Sequence, residues 1–400
     1  MKTNYKFNSL EMALTWVFLI STAILAFNQI VGESKLFELP SQQIYRFFIL
    51  FSYCTCILII FSFASHNGID ITGINMLVFL IMLLILISNL INGINITDSI
   101  ISTCWGISFI TGYAIGESGV FARYRKTRII IFIVIAIFAF YSMYSNSIKA
   151  SGVTNIIGVN YIFYFGFPLY VRFADENNPK TEILLSVIFI IATFISYKRT
   201  SLIAVGLALI IYYYNKYARK KPIKMKWLFL LSIIVFIIIA WYANKYTDGR
   251  LLERFSEIKS TGGNGREEIW KKTLELYSNS NFWQKCFGHG SNTVIKSIYM
   301  NGYYLSAHND FLEVLYDYGW IALILYLVFI IRIFALTASA KRNNSPNSPL
   351  FSAVFVLFIV ISLFSHAELY SYVALPLFSL LGALYAINRP ENINERCSIK

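Results

Sequence analysis

Long apolar runs alternate with short polar breaks over most of the chain, and one polar stretch, 245–317, interrupts the pattern. Runs of spanning length fall near 12–30, 43–64, 74–92, 98–116, 127–145, 156–174, 181–197, 201–217, 227–244, 318–337, 350–366 and 370–388. A helix needs about 20 apolar residues to cross a hydrocarbon core about 30 Å thick. That core satisfies no loose backbone N–H or C=O, so runs of this length read as helices rather than loops or open strands. The pattern predicts an all-α integral membrane protein of about twelve transmembrane helices, with one large loop between spans nine and ten. In domain terms, a nine-span bundle over 1–244 precedes a loop with short amphipathic helices over 245–317. Three further spans over 318–388 and a tail over 389–400 complete the chain.

Composition agrees with this class. Hydrophobic residues make up 57% of the chain and charged residues 14%, outside the range of ordinary globular proteins. Lys2 and Lys6 precede the first run, which no small-residue cleavage site follows, so it reads as an uncleaved span. With the N-terminus inside, the inner segments hold twenty Lys and Arg and the short outer segments five. The positive-inside rule then puts both termini in the cytoplasm and the long loop outside. The net charge of +13 is mostly this orientation signal, and the basic run Lys216 to Lys221 reads as an inner loop rather than a nucleic-acid surface. Cysteine usage implies no structural disulfide, because only Cys286 is expected outside.

A few polar residues are left unexplained by topology. Lys198 and Arg199 stand at the outer end of the seventh run, and the chain enters the eighth through Thr200 and Ser201, both good N-cap residues. A cation at a helix N-terminus is electrostatically unfavourable, since that end is already partly positive. The same arrangement suits an anion. Backbone N–H groups, the helix dipole and a guanidinium converging on one point make a phosphate site, the alternative being an arginine that snorkels to headgroups. Arg266 repeats the pattern after Gly262, Gly263 and Gly265, which permit a tight turn. The helix it opens would set Trp270, Leu274 and Tyr277 on one face against the membrane or the bundle. A solvated arginine paired with Glu267 or Glu268 is the alternative there.

His308 lies directly before Asn309, a strong N-cap, with Asp310, Glu313 and Asp317 following at helical spacing. A histidine held at a helix entry on the water side can take a proton from a hydroxyl. It can also simply brace the junction, and His289, His66 and His366 are read as structural by default. The three carboxylates read as solvated or hydrogen-bonded rather than as a cation site. The sequence has no HExxH, paired Cys/His spacing, Walker lysine loop or GxGxxG, so a metal-free and cofactor-free reaction is expected.

Tyr197-Lys198-Arg199-Thr200-Ser201, Gly265-Arg266-Glu267-Glu268-Ile269-Trp270, Phe287-Gly288-His289-Gly290, His308-Asn309-Asp310-Phe311-Leu312-Glu313 and Tyr318-Gly319-Trp320 occur in that order. Together they resemble the O-antigen ligase and polymerase superfamily, from about residue 155 to 335; the first third is similar only in hydropathy. The resemblance implies a GT-C-like membrane fold and a metal-independent glycosyltransferase in the bacterial inner (plasma) membrane. Its donor would be an undecaprenyl-diphosphate-linked oligosaccharide, its further partners membrane lipid and a chain-length regulator. Arg199 and Arg266 match the arginines that hold the lipid diphosphate, and His308 matches the histidine that activates the acceptor. Lys198, Asn309 and Glu313 are supporting candidates. Ligases commonly place a Ser-Arg pair where this chain has Lys198-Arg199, which tips the expectation toward a repeat-unit polymerase. A ligase and a lipid-linked sugar transporter are the alternatives.

Overall fold

A computed structural model describes residues 13–18, 20–21, 41–68, 72–117, 199–217, 241, 265–300, 303–367 and 371–389. The described helices are α1 (Ser41–Asn67), α2 (Gly73–Ile91), α3 (Ile96–Glu117), α4 (Arg199–Tyr217), α5 (Arg266–Ser278), α6 (Phe282–Phe287), α7 (Thr293–Ser297), α8 (Asp310–Arg342), α9 (Ser348–Phe364) and α10 (Ser371–Ile387). A small hairpin, β1 (Tyr299–Met300) and β2 (Tyr303–Tyr304), pairs Tyr299 with Tyr304 and Met300 with Tyr303. The described part is thus almost wholly helical. Four of its helices are long and apolar enough to cross a membrane, within Arg46–Ser65, Gly73–Ile91, Ile96–Glu117 and Asp310–Arg342. The runs expected near 127–145, 156–174 and 181–197 lie outside the described residues, as does nearly all of 227–244.

In a bilayer, lipid tails are as apolar as leucine, so helices associate through close packing rather than through the hydrophobic effect. The tightest example is α3 against α10. Gly112 faces the backbone of Ser379, Gly116 that of Ala383, and Gly382 that of Phe109. A Cβ at Gly116 would lie 2.7 Å from the Ala383 carbonyl oxygen, so the helices meet backbone to backbone. Beside this seam, Trp105 packs with its ring centroid 5.2 Å from Phe378, 5.9 Å from Phe329 and 6.2 Å from Tyr326. Phe358 joins from α9, 5.3 Å from Phe378. These rings tie α3, α8, α9 and α10 into one core, each pair contributing about 0.5–1.5 kcal/mol beyond its area.

Helix α8 runs eight residues further toward the N-terminus than the expected span at 318, and its 33 residues correspond to about 50 Å. That is longer than a hydrocarbon core, and the helix is divided accordingly. Gly319 breaks it with φ 83 and ψ 173, separating the carboxylate-bearing first turns from the apolar run that starts at Trp320. This backbone region is essentially closed to any residue but glycine. A second constraint acts at the same point: a side chain on Gly319 would run into the backbone of Cys286, and one on Gly288 into that of Asp317. The two glycines let the end of α6 press directly onto the kink.

Helix α2 secures this junction from the membrane side. Asn89 Oδ1 accepts from the Ser291 N–H at 2.8 Å and from its hydroxyl at 2.7 Å. The Ser88 hydroxyl donates to the Asp317 carbonyl at 3.0 Å, and Asn92 Nδ2 to the Gly288 carbonyl at 3.3 Å. Gly319→Ala should therefore lower the thermal midpoint of the purified protein strongly, since it costs more stability than the about 1–3 kcal/mol of a strained backbone conformation alone. Gly206→Ala, whose added carbon meets nothing within 4 Å, should leave the midpoint unchanged in the same measurement.

Candidate active site

The N-terminal end of α8 is built around a short turn, Ser306 to Asn309. Asn309 is extended at φ −157 and caps the helix, its Oδ1 accepting from the N–H groups of Phe311 at 3.0 Å and Leu312 at 3.2 Å. The preceding residue, His308, has φ 51. Left-handed backbone is uncommon for a residue with a side chain, and it survives only where the surroundings impose it.

They do so here from several directions. Glu313 Oε1 accepts the Ala307 N–H at 2.7 Å, and Trp270 Nε1 donates to the Ala307 carbonyl at 2.8 Å. Asn309 Nδ2 donates to the Leu363 carbonyl at 3.3 Å, and Asp310 Oδ2 accepts from the Ala367 N–H at 3.0 Å. Ser306 Oγ is hydrogen-bonded to His366 Nε2 at 2.9 Å. His308 is left half-buried, with its ring centroid 5.0 Å from that of His366.

The carboxylates expected along this helix are buried and hydrogen-bonded rather than solvated. Glu313 holds the turn and Asp310 the segment after α9, and His366 lies close to both, Nδ1 at 3.6 Å from Asp310 Oδ1 and Nε2 at 4.0 Å from Glu313 Oε1. Asp317 Oδ1 accepts from the Thr293 hydroxyl at 2.6 Å and from the N–H groups of Thr293 and Val294 at the start of α7. A carboxylate there complements the partly positive helix end. Among the described residues, no group of three or more His, Cys, Asp or Glu side chains is arranged to hold a metal ion.

Arg266 opens α5 after Gly265, which takes φ 75. The packed face of α5 includes Trp270 and Tyr277 of the expected stripe but not Leu274. Ile269 and Thr273 are the buried positions, and Leu274 is 48% exposed. Ile269 packs with Val294, Ile298, Ala307 and Tyr316 in a small apolar cluster of its own. The stripe is rotated because α5 packs on the loop and on α8, with Trp270 turned to the Ala307 carbonyl. Glu267, one candidate partner for Arg266, pairs with Lys271 at 2.9 Å. That contact holds the Glu267 carboxyl below its ordinary range and the Lys271 ammonium above it, on a fully exposed surface.

Helix α4 begins with the backbone of Arg199, so Thr200 lies inside the first turn rather than at the cap; Lys198 lies outside the described residues. The direction of α4 follows from its contacts. Lys341 Nζ sits 5.4 Å over the ring of Tyr214, which joins the C-terminal end of α4 to the end of α8 remote from His308. Helix α4 packs along α9, and α9 meets Asn309 at Leu363. Residue 199 therefore starts at the end of the bundle where the His308 turn lies.

The other histidines divide. His289 stacks on Tyr316 at 4.2 Å between centroids, and its ring nitrogens are hydrogen-bonded to the Tyr316 carbonyl and the Ser280 hydroxyl. That is the structural role expected of it. The His66 side chain lies outside the described residues. His366 is fully buried and belongs to the His308 cluster, which no spacing rule announces, because 58 positions and a helical return separate the two.

Residues 184–327 match the Wzy_C family model, described as O-antigen ligase. Over that segment the chain is similar to the O-antigen polymerase and ligase superfamily. The segment includes Arg199, Arg266 and the whole His308 turn, and it stops short of His366. The Wzy_C match points to glycosyl transfer of the ligase and polymerase type in a membrane protein. No curated protein matches the chain.

The cap offers a direct check on the turn. Asn309→Ala removes both cap bonds and the link to Leu363, and should cost about 1–2 kcal/mol of stability. Asn309→Asp, which keeps the cap acceptor, should recover most of it when the two are compared by thermal unfolding.

Proposed function

We propose that the chain is a repeat-unit polymerase of a surface polysaccharide, working on the outer side of a bacterial inner membrane with both termini in the cytoplasm. The observation that carries this reading is the Trp270 to Ala307 hydrogen bond, which ties the helix opened by Arg266 to the residue next to His308. In the proposed reaction, Arg266 and Arg199 neutralise the diphosphate of an undecaprenyl-linked glycan. Guanidinium groups suit this because they bind phosphate oxygens in a bidentate fork and stay charged throughout.

The hydroxyl of a second lipid-linked repeat unit attacks the anomeric carbon of the donor. Its proton passes to His308, the new glycosidic C–O bond forms, and the bond to the diphosphate breaks with its electron pair. Charge develops on the leaving oxygen, where the arginines are worth most. They supply the countercharge that a divalent ion provides in other glycosyltransferases, so the reading is metal-independent. Membrane lipid surrounds the site, and a chain-length regulator is a fitting partner.

A second reading keeps the donor chemistry and changes the acceptor. The family model is described as O-antigen ligase, in which case the glycan passes to a lipid core or a protein. Lys198 before Arg199, where ligases commonly carry serine, favours the polymerase. A gel of surface polysaccharide from a strain lacking the chain separates the two. Single repeat units on the final acceptor mean a polymerase, and long polymer retained on the carrier lipid means a ligase.

Complementation with His308→Ala should give no ladder at normal protein level, since a positioned general base contributes about 10²–10⁴ in rate. An unchanged ladder would remove His308 from the chemistry. Arg266→Lys should also fail although the charge is kept, because an ammonium lacks the bidentate fork. Full activity of that variant would reduce the requirement to general electrostatics.

A further inference from the structure

His366 stands where α9 ends, outside the segment that matches the family, and the proposed reaction does not use it. Its side chain is wholly buried. Its surroundings are nevertheless those of the site. The Nε2 atom is hydrogen-bonded to Ser306, two residues before His308, and the ring faces the His308 ring at 5.0 Å with 36° between the planes. Asp310 and Glu313 lie 3.6 and 4.0 Å from its nitrogens, and each also holds a backbone N–H of the junction, Ala367 and Ala307 respectively.

Two segments thus converge on the imidazole that follows α9: the turn before α8 and the first turns of α8. His308 itself sits in a left-handed conformation that its own helix does not require. On the α9 side, the residues that flank His308 are held by His366 through Ser306 and by the Leu363 carbonyl through Asn309. The His366 ring thus presents a hydrogen-bonding edge to Ser306 and lies against the ring of His308.

We infer that His366 is a positioning residue for His308, fixing through Ser306 the turn that aims the general base. The inference rests on the reading of His308 as the base, and it concerns geometry rather than proton transfer through His366. Misplacement of a reacting group by about 1 Å can cost about 10² in rate. A purely structural histidine would instead show its loss in stability.

The test uses the full-length protein purified in detergent and mixed with membrane vesicles from the deletion strain, which carry that strain's own lipid-linked repeat unit. Polymer formed per unit protein is followed as the amount of vesicle lipid is varied. His366→Phe keeps a planar aromatic ring and removes the hydrogen bond, whereas His366→Gln keeps a polar group near the Nε2 position. We expect kcat for H366F to fall by about tenfold to 10² with KM unchanged, and H366Q to recover most of it. Combining H366F with His308→Ala should lower activity no further than His308→Ala alone, because residues acting as a unit are not additive.

If H366F does not fold, Ser306→Ala removes the other end of the same bond and should show the same fall in kcat. Wild-type activity of H366F or of S306A, an H366Q as impaired as H366F, or additive losses in the double variant would overturn the inference. An active His308→Ala would instead overturn the reading of His308 as the base, so the two failures are distinct.

Discussion

The turn from Ser306 to Asn309 is the constraint on which the site depends. Within four residues, hydrogen bonds arrive from Trp270 on α5, Glu313 on α8, and Leu363 and His366 at the end of α9. A half-buried histidine with positive φ costs about 1–2 kcal/mol on backbone grounds alone. Each hydrogen bond returns a comparable net amount, and leaving any of these buried groups without a partner would cost more. The conformation is therefore a property of the junction and not of the tripeptide. In the proposed reaction this matters because a base held in one direction before substrate arrives loses little entropy at the moment of reaction.

The kink at Gly319 solves a different problem. A helix that begins with Asp310, Glu313 and Asp317 and continues as an apolar span must carry its carboxylates at the edge of the membrane. Hydrocarbon would penalise them heavily, so each is satisfied by the loop or by α9 before the apolar part begins. The break lets the polar turns lean onto α6 and α7 while the remainder packs in the bundle. Gly288 and Gly319 make that possible by allowing two backbones to touch. The same device recurs within the bundle, where Gly112, Gly116 and Gly382 bring α3 and α10 together. Close approach of backbones is what holds helices together where apolar burial offers no driving force.

Much of this was legible in the residues alone. Apolar runs near 43–64, 74–92, 98–116, 201–217, 318–337, 350–366 and 370–388 each correspond to a described helix, because a bilayer admits few alternatives. The Asn309 cap and the helix after Gly265 were legible for local reasons, since a cap and a tight turn are written within a few residues. The face of α5 was not. Its periodicity suggested Trp270, Leu274 and Tyr277, whereas tertiary contacts with Val294, Ala307 and Tyr316 centred the packed face on Ile269, beside Tyr277, and left Leu274 exposed.

The sequence by itself determined helices of membrane-spanning length and the capped turn at Asn309, because hydrophobic length and local capping are short-range properties. Tertiary structure alone decided that His308 would be left-handed, that the carboxylates after it would turn inward, and that His366 would stand beside it. Those facts depend on where α9 ends relative to where α8 begins, and no periodicity along the chain encodes the distance between two helix ends.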